Sequence, residues 1–202
     1  MNRRRLILLA PAVLALALTM LAGCEREPAR PSFQSIDITG ATYAQRLDLP
    51  DADGKPRSLA DYKGKVVIVF FGYTQCPDVC PTALAEISDL KNRLGADGAR
   101  VQPVFVTVDP ERDTPEVIKA YVGGFGPDYV ALRGTPEQTQ AVAKEFKVFY
   151  AKVPGKAPGS YTVDHTAGLY VFDAKGQVRL FARYGSGADA LLADVKLLLA
   201  GA

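Results

Sequence analysis

Two cysteines and one histidine are the residues of this 202-residue chain whose types and spacing could do chemistry. Cys76 and Cys80 are separated by three residues, and His165 is the only histidine in the sequence. A thiolate is both the nucleophilic and the metal-binding form of cysteine, and neutral imidazole is a common metal ligand. The cysteine pair could therefore perform thiol–disulfide chemistry, or it could hold a metal ion together with His165.

The spacing of the two cysteines leaves three kinds of site open. A structural disulfide would close a very small loop and restrict little chain entropy. A thioredoxin-type redox site has two residues between its cysteines, whereas this pair has three, and Pro77 and Pro81 stiffen the segment. Two thiolates and one imidazole suit copper, or zinc with a fourth ligand. A closed structural zinc site needs four protein ligands, so the three residues favour a metal carrier, with redox cycling as the alternative.

The stretch around the cysteines predicts the elements that position them. Residues Val66–Phe71 form an apolar run that is typical of a strand buried on both faces. A helical pattern opens at Pro81, where a proline is tolerated in the first turn. The cysteines should therefore lie between a strand end and a helix N-terminus, whose dipole favours the thiolate. Phe71 and Tyr73 flank this site in the sequence and could shield it from water, although aromatic residues beside a buried strand usually belong to the core.

The rest of the chain alternates strand and helix patterns, which predicts an α/β fold. We expect an N-terminal β-hairpin around the Asp53-Gly54 turn and a second buried strand at residues 104–108. Helices should open at Asp113–Glu116 and at the capping box Thr135–Gln138. A strand pair at residues 169–172 and 178–181 should follow, and then a last helix capped by Ser186. The polar segment Ala151–Ser160 contains Pro and Gly and predicts a loop that leaves His165 free to move.

Composition and charge describe an ordinary globular protein. The chain is 48% hydrophobic and 23% charged, which fits one domain. The formal net charge is +2, and Arg3–Arg5 lie in the N-terminal segment, so the remainder is close to neutral and shows no basic stripe. We therefore expect no nucleic-acid binding. One close cysteine pair is also too few for a disulfide scaffold.

The N-terminal residues have the pattern of a secretory signal. Residues 1–23 combine Arg3–Arg5 with an apolar run, and Leu21–Cys24 resembles a bacterial lipobox. We expect lipidation of Cys24, a tether over residues 24–34 and a folded domain over residues 35–202. The alternative is an uncleaved membrane anchor. Both interpretations place the domain outside the cytoplasm, on the periplasmic side of a bacterial membrane.

Three motifs occur in an order that resembles the Sco/SenC family of copper-binding proteins. They are Phe71-Gly-Tyr-Thr-Gln-Cys-Pro-Asp-Val-Cys-Pro81, Val108-Asp-Pro-Glu-Arg-Asp-Thr-Pro115 and Val163-Asp-His-Thr166. The resemblance runs from about residue 35 to the C-terminus. It implies a thioredoxin-like fold, here with the N-terminal β-hairpin as an extension, and a copper chaperone that serves cytochrome c oxidase assembly.

The resemblance also implies roles for particular residues. Cys76, Cys80 and His165 would bind Cu(I) or Cu(II). Asp109 would hold these ligands in place without binding the metal, although a turn at Asp109-Pro110 would explain this residue equally well. Asp78 and Asp164 are further candidates for that support, although a turn or a backbone contact would also explain each of them.

The implied task is delivery of copper to the dinuclear centre of cytochrome c oxidase, with the copper-accepting oxidase subunit as partner. No catalytic residue is implied. The alternatives are a thiol–disulfide oxidoreductase that reduces the cysteines of that centre through a reversible Cys76–Cys80 disulfide, and a copper or redox sensor. We expect the protein to be a monomer.

Overall fold

A computed structural model describes residues 32–202, and a six-stranded mixed sheet lies at its centre. The strand order is β1-β10-β9-β4-β5-β6. The strands are β1 (Ile36–Asp37), β4 (Val66–Gly72), β5 (Val101–Thr107), β6 (Val130–Leu132), β9 (Gly168–Phe172) and β10 (Val178–Arg183). The three strands β4, β5 and β6 are parallel, whereas β1, β9 and β10 pair antiparallel with their neighbours.

Strands β4 and β5 form the buried middle of this sheet. All seven residues of each strand are buried, which explains the uninterrupted apolar run Val66–Phe71 of β4 and the apolar residues 104–106 of β5. The two strands pair in parallel from Val66 opposite Val101 to Gly72 opposite Thr107. Their C-terminal ends therefore reach the same edge of the sheet, and the residues that follow them are brought together there.

Within residues 32–202, four α-helices connect or follow the strands, as the alternating pattern predicts. They are α1 (Val79–Leu94), α2 (Pro115–Gly123), α3 (Pro136–Glu145) and α4 (Ala188–Leu199). The predicted capping box of α3 is confirmed, because Thr135 and Gln138 bond each other's backbone N–H groups. The prediction that Ser186 caps α4 is wrong. Gly187 occupies the cap position at a φ of 88°, a left-handed conformation that glycine adopts readily.

Two strand pairs lie outside the central sheet. Strands β2 (Leu49–Pro50) and β3 (Pro56–Arg57) form the predicted N-terminal hairpin. Strands β7 (Tyr150–Pro154) and β8 (Tyr161–His165) form a second hairpin, in which Tyr150 pairs with His165. The prediction of a loop over Ala151–Ser160 is therefore wrong for its first part. Only residues 155–160 connect the strands, and backbone pairing with β8 orders the residues before them.

The N-terminal predictions fall mostly outside the described residues. The signal segment 1–23, the lipidation site Cys24 and most of the tether 24–34 belong to the part of the chain before residue 32. Among the helices of residues 32–202, none combines the length and the apolar character needed to cross a membrane.

Candidate metal centre

Cys76, Cys80 and His165 meet at the edge of the sheet where β4 and β5 end. Cys76 lies in the loop after β4, Cys80 lies in the first turn of α1, and His165 is the last residue of β8. Their ligand atoms all lie within 4.8 Å of one another, and the Sγ of Cys80 is 3.4 Å from the Nε2 of His165. The structure thus brings together three residues from distant parts of the sequence.

The helix N-terminus acts differently on the two cysteines. The backbone N–H of Cys80 points at the Sγ of Cys76, with 3.4 Å between N and S, and this donor stabilises negative charge on that sulfur. The Cys80 side chain is fully buried, and burial raises the pKa of its thiol. At Cys80 of the metal-free protein, desolvation therefore opposes the preference for the thiolate that the helix dipole predicts.

His165 presents one ring nitrogen to the cysteines. Its Nδ1 lies 3.1 Å from the carbonyl oxygen of Thr166. Because a carbonyl can only accept a hydrogen bond, Nδ1 carries the proton and Nε2 directs its lone pair toward Cys80. Burial lowers the pKa of His165, so the ring is neutral at pH 7. Both the tautomer and the charge state are those that a metal ligand requires.

Aromatic side chains enclose the imidazole. The rings of Phe70 and Tyr73 contact His165 edge to face, with centroid distances of 5.9 Å and 6.0 Å. Phe71 belongs to the core, as aromatic residues beside a buried strand usually do, because its ring packs inward against Phe146 with a centroid distance of 5.1 Å. Phe70 flanks the site instead, since successive side chains of a strand point to opposite faces.

Gly72, the last residue of β4, permits the close approach of Cys80. A Cβ atom at this position would lie 2.8 Å from the Sγ of Cys80 and 2.9 Å from the ring of Phe70. Such distances are too short for ordinary van der Waals contact. The absence of a side chain at Gly72 therefore leaves room for the sulfur beside the strand.

The carboxylates that the sequence suggested as supports for the metal ligands are placed differently. Asp109 is buried and accepts hydrogen bonds from the Nε of Arg112 and from the hydroxyl of Tyr161. Asp78 is exposed at the cap position of α1, and Asp164 is exposed beside His165. Within residues 32–202, none of the three carboxylates hydrogen-bonds to Cys76, Cys80 or His165. Their supporting role stays a prediction.

Asp113 is a buried carboxylate that the sequence analysis interpreted only as part of a helix start. Thr114 caps α2 instead, and the side chain of Asp113 points inward. It accepts hydrogen bonds from the hydroxyls of Thr74 and Thr107, both at 2.6 Å, and from the backbone N–H of Thr74 at 3.2 Å. The carboxylate thereby ties the cysteine loop to the end of β5. The signal that could have found it is a hydroxyl residue at the end of each of the two buried strands.

Two sulfur donors and one nitrogen donor form a group that is suited to copper. Thiolates are soft ligands that favour Cu(I), and imidazole binds both oxidation states. With three donors instead of the four of a closed structural site, the metal keeps a position through which another ligand can approach. Cys76 is partly exposed, so the site can be reached from solvent.

Comparison with known proteins identifies the family. The family model described as SCO1/SenC matches residues 36–200. The SCO2-like protein of Rickettsia felis is 35% identical over 155 residues, which cover 75% of this chain and 76% of that protein. Similar curated proteins also include mitochondrial SCO2 homologues of mouse and cattle.

Solved structures agree with this assignment. Bradyrhizobium japonicum ScoI, solved with copper bound, is 40% identical with a TM-score of 0.68, and the match covers 76% of this chain and 98% of that chain. A SCO1/SenC family lipoprotein from Bacillus anthracis is 27% identical with a TM-score of 0.64, covering 78% and 98%. These matches confirm the thioredoxin-like fold. The protein described here belongs to the SCO1/SenC family.

Proposed function

We propose that this protein is a copper chaperone that delivers copper to the dinuclear centre of cytochrome c oxidase. Proteins of the Sco family take part in the copper assembly of cytochrome c oxidase, and relatives have been solved with copper bound. The observation that carries the proposal is the convergence of Cys76, Cys80 and His165, whose ligand atoms lie within 4.8 Å of one another at an accessible edge of the fold.

Copper is the cargo of this site, and its binding is coupled to proton release. The two cysteine sulfurs would hold Cu(I) as thiolates, so the proton of the buried Cys80 thiol must leave when the metal enters. The Nε2 of His165 needs no deprotonation, because it already carries a lone pair. An acceptor protein would receive copper by ligand exchange at the position that the three donors leave open.

The experiment is copper loading of the reduced protein and of single-residue variants. The oxidised ion should need all three ligands, whereas the cysteine pair alone should retain Cu(I) weakly. His165→Ala should therefore abolish the intense thiolate-to-Cu(II) absorption and lower Cu(I) affinity much less. Cys76→Ser and Cys80→Ser should abolish both.

In cells, each of these three substitutions should lower oxidase activity, with partial rescue by added copper. A matched control is Gln177→Ala, which changes an exposed position in the turn before β10 and should change neither spectrum nor activity. Unchanged Cu(II) spectra and normal oxidase assembly in His165→Ala would contradict the chaperone function.

A thiol–disulfide oxidoreductase is the second candidate, because Cys76 and Cys80 are free thiols whose sulfurs lie within 4.8 Å of each other. Such a protein would reduce the cysteines of the oxidase centre, and its own pair would become a disulfide. This chemistry needs only the two sulfurs, so His165→Ala should leave it intact. A copper or redox sensor would bind the metal in the same way but would not pass it to apo-oxidase, which a transfer assay separates.

The N-terminal segment supports a lipid anchor outside the cytoplasm. Leu21–Cys24 has the lipobox pattern, and the family includes a lipoprotein from Bacillus anthracis. Cleavage would remove residues 1–23, lipid on Cys24 would hold the protein at the membrane, and the tether would lead into the domain that starts at residue 35. Mass spectrometry of the mature N-terminus tests this, and a wild-type protein that retains Met1 without lipid would contradict it. The same preparation shows by light scattering whether the protein is a monomer.

A further inference from the structure

The cysteines and His165 are carried by parts of the fold that are supported separately. The cysteine loop continues directly from β4 in the central sheet, whereas β7 and β8 form a two-stranded sheet of their own. The ladder that holds His165 in place is thus its pairing with Tyr150 inside that hairpin. Thr166 and Ala167 join the His165 end of this hairpin to β9 of the central sheet, and contacts between side chains hold the rest of the hairpin against the cysteine loop.

Arg112 makes contacts to both parts. Its Nη1 donates to the side-chain oxygen of Gln75 at 3.1 Å and to the carbonyl oxygen of Tyr161 at 2.9 Å. Gln75 precedes Cys76, and Tyr161 begins the strand that ends at His165. One guanidinium nitrogen thereby links the cysteine loop to the hairpin.

The guanidinium is itself held in place by Asp109 and Tyr161. Its Nε donates to Asp109, which is 1% exposed, and the Tyr161 hydroxyl donates to the other oxygen of the same carboxylate at 2.9 Å. The central carbon of the guanidinium lies 3.6 Å from the centre of the Tyr161 ring. A planar guanidinium can stack and donate in several directions at once, which lysine cannot.

The second terminal nitrogen of the guanidinium, Nη2, takes no part in these contacts. Among the described residues, the Nη2 of Arg112 is buried without a hydrogen-bond partner. A buried donor without a partner costs free energy, and such groups in native structures call for an explanation. The missing partner of Nη2 is explained by the orientation of the guanidinium. When Nη1 donates to both Gln75 and Tyr161, Nη2 is turned into the buried side of the contact.

We propose that Arg112 is a positioning residue that sets the approach of His165 to the two cysteines. The proposal rests on the proposed copper-binding function. It states that Arg112 determines whether copper is bound by the two sulfurs alone or by the two sulfurs together with the imidazole nitrogen. With Arg112 in place, the imidazole stays against the Sγ of Cys80. Without it, the contacts of Phe70 and Tyr73 with His165 remain, but the Tyr161 end of the hairpin loosens from the cysteine loop, and the site loses its nitrogen donor for part of the time.

The consequence for metal binding is selective. Residues that orient metal ligands typically change metal affinity by about 10–100-fold when they are replaced. The loss should fall on Cu(II), which needs the imidazole, and much less on Cu(I), which the two thiolates retain. A residue that only stabilised the fold would lower both affinities together.

The test compares Arg112→Gln with a matched control, Arg179→Gln. Arg179 also pairs with a buried carboxylate, Asp173, and its side chain is 13% exposed compared with 21% for Arg112, but it lies on β10 and also contacts the C-terminal residue Ala202. The first readout needs no metal. It is the rate at which iodoacetamide alkylates Cys80 in the reduced full-length protein, assigned to that residue by mass spectrometry.

Arg112→Gln should raise the Cys80 alkylation rate at least tenfold over Arg179→Gln, because the hairpin no longer covers the sulfur. It should also lower the ratio of Cu(II) to Cu(I) affinity at least tenfold. Tyr161→Phe removes one hydroxyl and replaces Arg112→Gln in the test if that variant does not fold. It should change the alkylation rate and the affinity ratio about threefold in the same directions. Arg112→Lys keeps the charge without the bridge and should resemble Arg112→Gln.

Two results would overturn the proposal. One is an Arg112→Gln protein whose Cys80 alkylation rate and affinity ratio equal those of Arg179→Gln, since Arg112 would then only stabilise the fold. The other is a Tyr161→Phe protein that is indistinguishable from wild type when Arg112→Gln fails to fold. Failure of the proposed function is recognised separately, because wild type itself would then show no His165-dependent copper binding while the alkylation rates would still report on the hairpin.

Discussion

Replacing the buried carboxylate of Asp113 should destabilise the protein through the cysteine loop. Asp113→Ala removes the acceptor of three hydrogen bonds, two from threonine hydroxyls and one from the backbone N–H of Thr74. A hydrogen bond to a charged group contributes about 1.5–3 kcal/mol, and a buried N–H left without an acceptor costs about 1–3 kcal/mol. Burial of the carboxylate, which raises the pKa of Asp113, offsets part of the stability that these hydrogen bonds contribute.

The net result should be a fall of about 2–4 kcal/mol in the free energy of unfolding. Asp113→Asn keeps an oxygen for the Thr74 N–H but can no longer accept from both hydroxyls, so its loss should be about 1 kcal/mol. Urea unfolding of the reduced, metal-free proteins at pH 7 measures both values by linear extrapolation.

The matched control is Asp78→Ala at the other end of the cysteine loop. Asp78 is exposed, and its contact with the Thr82 hydroxyl spans 3.5 Å, so its removal should change stability by no more than about 0.5 kcal/mol. An Asp113→Ala protein as stable as Asp78→Ala would show that the three hydrogen bonds do not anchor the loop.

Three other predictions concern the site directly. Gly72→Ala should lower the free energy of unfolding by about 1–3 kcal/mol and weaken Cu(I) binding, because its Cβ would overlap the Cys80 sulfur. The control is Gly123→Ala, whose added Cβ would have no atom within 4 Å and which should therefore change neither quantity. Urea and copper titrations measure both. Burial lowers the pKa of His165, so the stability that its neutral ring contributes is complete above pH 6.5 and is lost as the pH falls through the folded-state pKa. NMR titration of this single imidazole measures that pKa, and a midpoint at or above pH 6.5 would show that burial does not lower the pKa of His165. Mild oxidation should join Cys76 and Cys80 in a reversible disulfide that binds little Cu(I). Thiol trapping and copper titration measure this, and two free thiols with unchanged copper affinity after oxidation would contradict it.

Local sequence patterns predict the parts of the fold that depend on local physics. The run Val66–Phe71 identifies a buried strand because every residue in it is apolar, and Thr135–Gln138 identifies a helix start because its hydrogen bonds are made within four residues. The position of the cysteines between a strand and a helix follows from the same local signals.

The parts that the sequence did not predict depend on contacts between distant residues. Strand β7 is largely exposed and ends at Pro154, and its residues lack the apolar alternation that marks a strand. The inward orientation of Asp113 requires the parallel pairing of β4 and β5, which no local pattern encodes. The burial of Cys80 likewise results from the assembled fold, and it raises the pKa of the thiol, against the direction expected from the helix dipole.

The register of the β7–β8 hairpin has a consequence for insertions and deletions. Side chains along a strand alternate between two faces, so a shift of one residue turns every side chain to the other face. One residue inserted between Tyr161 and His165 would direct the imidazole away from Cys80, whereas two would restore the face. Changes of length within residues 155–160 leave this parity untouched. The connecting turn is therefore the place where the chain can vary in length, whereas the strand that follows it can gain or lose residues only in even numbers.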